Sequence, residues 1–243
     1  MDWSKAKNII VIALVLTNVF LIVQYALQYS HLIRRSDVVN DYTVNILHRN
    51  NIEIDCKIPV HKSKMFALTV SYSDLDGKEK ANLLKKAEQV DIKNRNKHGY
   101  GKAADKFLKE CGYMNEYTKL ERISEADGKV TVEYGNYYLT IPLEDSEMTL
   151  TYEEGKLTDI KRHWIVPAGE GDNKIKLISP LSALLVLMSS IDTEKNTVVN
   201  EIKLVYYVIP YESDNSVLYD TAFPAWAIKY NNGQIKYIST IEQ

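Results

Sequence analysis

The sequence predicts an α+β fold carried behind a single N-terminal membrane anchor. Three observations lead there. Residues 8–30 hold no Asp, Glu, Lys or Arg, and from Ile9 to Val23 they are almost wholly aliphatic. Further on, Asp127-Gly128, Glu154-Gly155 and Asn232-Gly233 each divide two β-type runs, the signature of hairpins. Helical patterns are few, and they do not alternate with strands as a doubly wound sheet requires.

The anchor comes first in the chain. At 1.5 Å per residue its length is roughly 30 Å, enough to cross a bilayer's hydrocarbon core. A cleaved signal peptide is the competing reading, with a buried core helix a third. A signal peptide has a shorter apolar region ending at a small-x-small site, whereas this run ends in Gln24, Tyr25, Ala26, Leu27, Gln28 and Tyr29. Trp3, Tyr25 and Tyr29 lie near its two ends, as an interfacial belt requires. On a helical wheel Ala13, Thr17, Gln24 and Gln28 share one face, with Asn18 beside it. Small and polar residues are where helices approach each other in lipid, so these five form the expected partner-helix interface. The same residues are also tolerated in anchors that bind nothing. Charge leaves orientation open: Lys5 and Lys7 flank one end, His31, Arg34 and Arg35 the other.

Residues 36–50 read as an amphipathic helix through Val38, Val39, Tyr42, Ile46 and Leu47, ended by Asn50-Asn51. Ile52, Ile54, Cys56 and Ile58 alternate with polar residues as a strand stopped by Pro59, and residues 65–72 form a second strand. Asp76-Gly77 turns the chain into a helix over 79–91, facing inward through Ala81, Leu84, Ala87 and Val90. Residues 93–101 read as a basic loop, and 102–110 as a short helix capped by Gly112. Strands follow over 117–124 and 129–134, then 137–143 after a Gly135-Asn136 turn, then 148–152 and 157–166. Residues 167–173 read as a loop. Ser179 caps a very apolar helix over 180–191 with Pro180 in its first turn. Strands over 198–210, 217–230 and 234–241 close the chain. The expected organisation is a tail at 1–7, the anchor at 8–30, one α+β subdomain at 31–145 and a second at 146–243.

The formal net charge is -2, and residues beyond the anchor are mildly acidic, which argues against a nucleic-acid surface. Cys56 and Cys111 are the two cysteines. No CxxC or Cys/His cluster exists to hold zinc, and the pair reads equally as a disulfide or as two half-buried thiols. His31, His48, His61, His98 and His163 show no metal-ligand spacing. The segment from His98 to Lys102 lacks both GxxxxGK[ST] and GxGxxG, so it reads as solvated loop and not as a phosphate cradle. Glu144, Asp145 and Glu147, and again Glu153 and Glu154, flank turns, where acidic residues are simply exposed. Neither GxSxG nor SxxK occurs. The residues therefore point to no catalytic, metal or cofactor site.

The opening Met1-Asp2-Trp3-Ser4-Lys5-Ala6-Lys7 before an apolar run resembles the YycI (WalI) family, as do Asn18, Phe20, Leu21, Gln24 and Tyr25 within it. At the other end, residues 201–207, Pro224-Ala225-Trp226-Ala227-Ile228 and Asn232-Gly233 are similar to its closing strands. Ala227 departs from the pattern, which has a polar or basic residue there. The resemblance implies a single-pass protein of the cell membrane of a Gram-positive-type cell, with its amino terminus cytoplasmic and a YycH-like α+β domain on the outer face. It implies no enzyme activity and no cofactor. It implies action, together with YycH, on the sensor histidine kinase YycG (WalK), which controls cell-wall metabolism, largely through transmembrane-helix contacts. The alternative reading is an extracytoplasmic module that binds a cell-envelope component, suggested by the Tyr-rich strands and the basic stretch 93–102.

Overall fold

The computed structural model describes residues 11, 13–24, 41–60, 62, 64–88, 92, 95–192, 195–209 and 220–239. It divides into two compact units, residues 1–53 with 188–197 and residues 54–187 with 198–243.

In the first unit, residues 13–24 are helical and exposed. They span about 18 Å at 1.5 Å per residue. Among the described residues no helix is long and apolar enough to cross a membrane. The rest of the expected anchor, including Gln28, lies outside them. Helix α1 (41–49) buries Leu47 and Thr43. It ends where expected: Asn51 takes a left-handed φ of 57°, and its N–H reaches back to His48 O. Strand β1 (Ile52–Ile54) follows.

The second unit carries a large, mostly antiparallel sheet. Its strands are β2 (Lys64–Tyr72), β3 (Thr118–Ala126), β4 (Lys129–Tyr138), β5 (Ile141–Glu153), β6 (Lys156–His163), β7 (Ile165–Lys176), β8 (Thr197–Val208), β9 (Asp220–Tyr230) and β10 (Gln234–Ser239). They run in the order β3-β4-β5-β8-β9-β2-β7, with β6 also on β5 and β10 also on β9. The single β5–β8 contact, Leu143 opposite Tyr206, is parallel. The hairpin turns form as the sequence demands. Asp127-Gly128 and Glu154-Gly155 each place two consecutive residues at positive φ, the geometry that matches strand twist.

Helices α2 (Gly77–Ala87) and α3 (Lys97–Glu110) cover the β4–β6 face. Val130, Val132 and Tyr134 of β4 alternate inward, as do Met148, Leu150 and Tyr152 of β5. Asp76 caps α2 by accepting from Glu79 N–H. Its buried face is Leu83 and Ala87; Ala81, expected inside, is exposed, and Val90 lies outside the described residues. α3 begins five residues before the expected start. Asn96 accepts from Gly99 N–H, and Gly101 sits buried where an added Cβ would come within 3.0 Å of Ile123 Cδ1. Residues 97–101 are therefore helix, not loop. The far end closes as expected: Gly112 at φ 77° donates to Lys109 O, and Tyr113 to Leu108 O, a Schellman motif. Ser179 accepts from Ser182 N–H ahead of α4 (Pro180–Ser190). Trp226, fully buried on β9, donates its indole N–H to Ile178 O at 3.0 Å.

Two further segments differ from the sequence expectation. Gly135-Asn136 is not a turn but lies within β4; the chain reverses at Leu139-Thr140, with Leu139 at φ 58°. Asn136 is buried and donates its amide to Ile165 O at 2.6 Å. Residues 167–173 are strand, not loop. They belong to β7, the last strand of the sheet order, where the N–H that Pro167 lacks is tolerated.

Candidate functional site

Two places carry candidate function. The first is the expected partner-helix face. Ala13, Thr17, Asn18 and Gln24 lie on the helical segment 13–24 and are exposed. Thr17 donates its hydroxyl to Ala13 O at 2.8 Å, and Asn18 its amide to Leu14 O at 3.0 Å. Both polar side chains therefore find partners on their own helix.

The second is a cavity of ≈ 390 Å³ whose lining includes Glu121, Glu144, Asp145, Glu147, His163 and Lys203. A step in strand register builds it. Between the pairs Tyr137–Pro142 and Gly135–Glu147, β4 advances two residues and β5 five. The surplus chain kinks at Asp145, whose φ is 59°, and lets Leu143 turn to β8. Glu144 is thereby drawn inward. It pairs with Lys203 of β8 at 2.9 Å and accepts the Tyr237 hydroxyl of β10 at 3.0 Å. Its side chain is only 13% exposed, so the expectation that this carboxylate sits free on a turn is wrong for Glu144. Asp145 and Glu147 are exposed, as expected.

The surroundings are electrostatically settled. Burial works against the Lys203 ammonium, but Glu144 beside it more than offsets this and holds its pKa above the usual range. Burial, then Glu144, raises the Tyr237 phenol. Tyr237 stacks on Tyr207 at 4.0 Å between ring centres. The two rings meet from β10 and β8 across β9, packed against Val205, Ala225 and Ala227. Ala227, the departure noted in the sequence, is thus a buried spacer between Lys203 and Tyr237. Across the cavity Tyr137 donates to Glu121 at 2.9 Å; burial and that bond push its pKa up to about 12.

Ser146 and His163, the nucleophile and base types beside the cavity, are engaged elsewhere. Ser146 is buried, and its Oγ accepts from Ile165 N–H. His163 Nδ1 pairs with Asp74 at 2.8 Å, and its ring stacks on Tyr72. Among the described residues no hydrogen bond joins Ser146 to His163, and no group of three His, Cys, Asp or Glu could hold a metal. Cys56 and Cys111 are free, half-buried thiols, each pushed up in pKa chiefly by burial.

No curated protein matches the sequence. Among solved structures, the C-terminal domain of Bacillus megaterium YpeB is similar at 15% identity and a TM-score of 0.34, the match covering 63% of this chain and 64% of that one. The family described as YycI protein matches over residues 34–241. The chain therefore belongs to the YycI family, a regulatory family associated with the YycG (WalK) two-component system.

Proposed function

We propose that this protein is a non-enzymatic, single-pass membrane regulator. Together with a YycH-type partner it modulates the kinase YycG (WalK), and hence cell-wall metabolism, through contacts between transmembrane helices. In this reading residues 8–30 form the anchor, 1–7 a cytoplasmic tail, and the sheet domain lies outside. One observation carries it: the exposed apolar helix bears Thr17 and Asn18, whose polar groups are bonded to its own backbone. Such side chains lie in hydrocarbon at little cost, yet leave donors and acceptors for a neighbouring helix. Tethering in one membrane raises effective concentration, so weak contacts suffice. Regulation then requires only that the protein bind one kinase conformation better, by about 1–3 kcal/mol. The test replaces Thr17, Asn18 and Gln24 together by Leu, which keeps the helix apolar. The expected outcome is loss of kinase co-purification and altered output. Unchanged co-purification and output would refute the helix-contact mechanism.

The cavity at the β5 kink favours a second reading, in which the outer domain binds a small polar component of the cell envelope. Thermal shifts with soluble wall fragments test it, and flat profiles across them would remove it.

A further inference from the structure

Residues 77–110 hold ten Lys and Arg against five Asp and Glu, a net of +5 in a chain whose net is -2. Six of these lysines lie exposed on the outer faces of α2 and α3, alongside exposed Glu79, Glu88 and Glu110. Helices α2 and α3 turn Leu83, Ala87, Tyr100, Ala104, Phe107 and Leu108 into a single cluster with β4, β5 and β6, so both lie on the same face of the sheet. Their opposite faces carry exposed Lys78, Lys85 and Lys86 on α2, and Lys102, Lys106 and Lys109 on α3. The last three are spaced by four and three residues, so they form one stripe. Of the six, only Lys106 forms an ion pair among the described residues, a loose 3.8 Å contact with Glu110. Asp105, the acidic residue within the stripe, is turned inward to accept the Tyr134 hydroxyl at 2.7 Å.

We infer that this lysine face docks electrostatically on an anionic lipid surface. Charge complementarity favours that occupant. The cations are ammonium groups on flexible stems, suited to a diffuse headgroup layer; a single fixed phosphate is more often held by the rigid fork of arginine. No large apolar side chain of α2 or α3 is exposed, so the contact lies on the headgroups and does not insert. The inference builds on the proposed membrane anchor, which would keep a bilayer within reach of this face. Docking would then give the outer domain a preferred orientation beside its partners.

The test is lysine footprinting by acylation and mass spectrometry. The full chain is placed in nanodiscs of phosphatidylcholine alone or with about 30% phosphatidylglycerol. The expected result is about threefold slower modification of Lys85, Lys86, Lys102, Lys106 and Lys109 in the anionic discs, reversed near 0.5 M salt, where the screening length falls to about 4 Å. Lys119 and Lys229, elsewhere on the sheet, should be unchanged. Equal rates in the two lipids would overturn the inference. So would protection by soluble polyphosphate equal to that by anionic discs, since it would assign the face to a free polyanion. Co-purification of the chain with the discs reads the anchor separately. A chain that fails to insert is footprinted with anionic vesicles added, where the same lysines must still be protected for the inference to stand.

Discussion

Replacing Glu144 by Ala removes the group that ties three strands together at the β5 kink. Its carboxylate meets Lys203 at 2.9 Å and the Tyr237 hydroxyl at 3.0 Å. An exposed pair is worth up to about 1 kcal/mol, while orphaning one partner of a buried pair costs about 3–5 kcal/mol. This pair lies between those limits, because Glu144 is 13% exposed and Lys203 42%. Solvent reaching the ammonium discounts the larger figure, so Glu144→Ala should cost about 2 kcal/mol. For a domain of this size that lowers Tm by roughly 6 °C. The assay is urea unfolding of the full chain in detergent, followed by tryptophan fluorescence, across the cycle Glu144→Ala, Lys203→Met and the double variant. Lys203→Met leaves Glu144 its bond from Tyr237 and should cost less. The double variant should be more stable than the sum of the two losses implies, with a coupling of about 1 kcal/mol. Strict additivity, or a Glu144→Ala loss below about 0.3 kcal/mol, would refute this account of the kink.

Three further outcomes follow from the same geometry. Tyr72, Tyr137 and Tyr206 are each raised to about 12, chiefly by burial, above the unfolded value of about 10. The folded chain therefore binds more protons than the unfolded chain between those values. Its stability should be complete below pH ~10 and fall steadily towards pH ~12, as read by unfolding at fixed pH with tyrosinate absorbance alongside; a flat profile would contradict the burial of these phenols. Gly135→Ala places a methyl group onto the Glu121 carboxylate, so Glu121 must leave Tyr137. The Tyr137 phenol should then titrate lower than in the parent, and an unchanged titration would show the bond to be irrelevant. Gly101→Leu forces a side chain against Ile123 Cδ1 and Leu120 Cδ2, and should destabilise by about 1–3 kcal/mol despite better helix propensity, measured by the same urea assay.

Much of the fold was readable where backbone geometry dictates residue type. Asp127-Gly128 and Glu154-Gly155 mark hairpins because they tolerate positive φ, and Ser179 and Gly112 mark helix ends because they satisfy orphan backbone groups. The same rules mislead where a turn residue does another task. Asn136 looks like turn material yet is buried to bind Ile165 O, while the true reversal falls at Leu139-Thr140, which carries no turn signal. Gly99 and Gly101 weakened the helical pattern of α3, although the close approach of Ile123 is what requires Gly101 to be small. Pro167 weakened β7, which accepts it as the end of the sheet. The cavity was not legible at all. Glu121, Glu144, His163 and Lys203 come from four strands, and the β4–β5 register step brings them together. The expected partner-helix face rests on spacing alone, because helical periodicity is local.

The proposed function resides in the anchor's contact with a kinase. A photoreactive residue at position 17, 18 or 24, crosslinked in native membranes and followed by pull-down, tests it most directly. The expected product is a crosslinked species containing the histidine kinase, from at least one of these positions and not from a position on the opposite helix face. Contradiction would be the absence of any kinase adduct from all three positions while the outer domain retains a wall component.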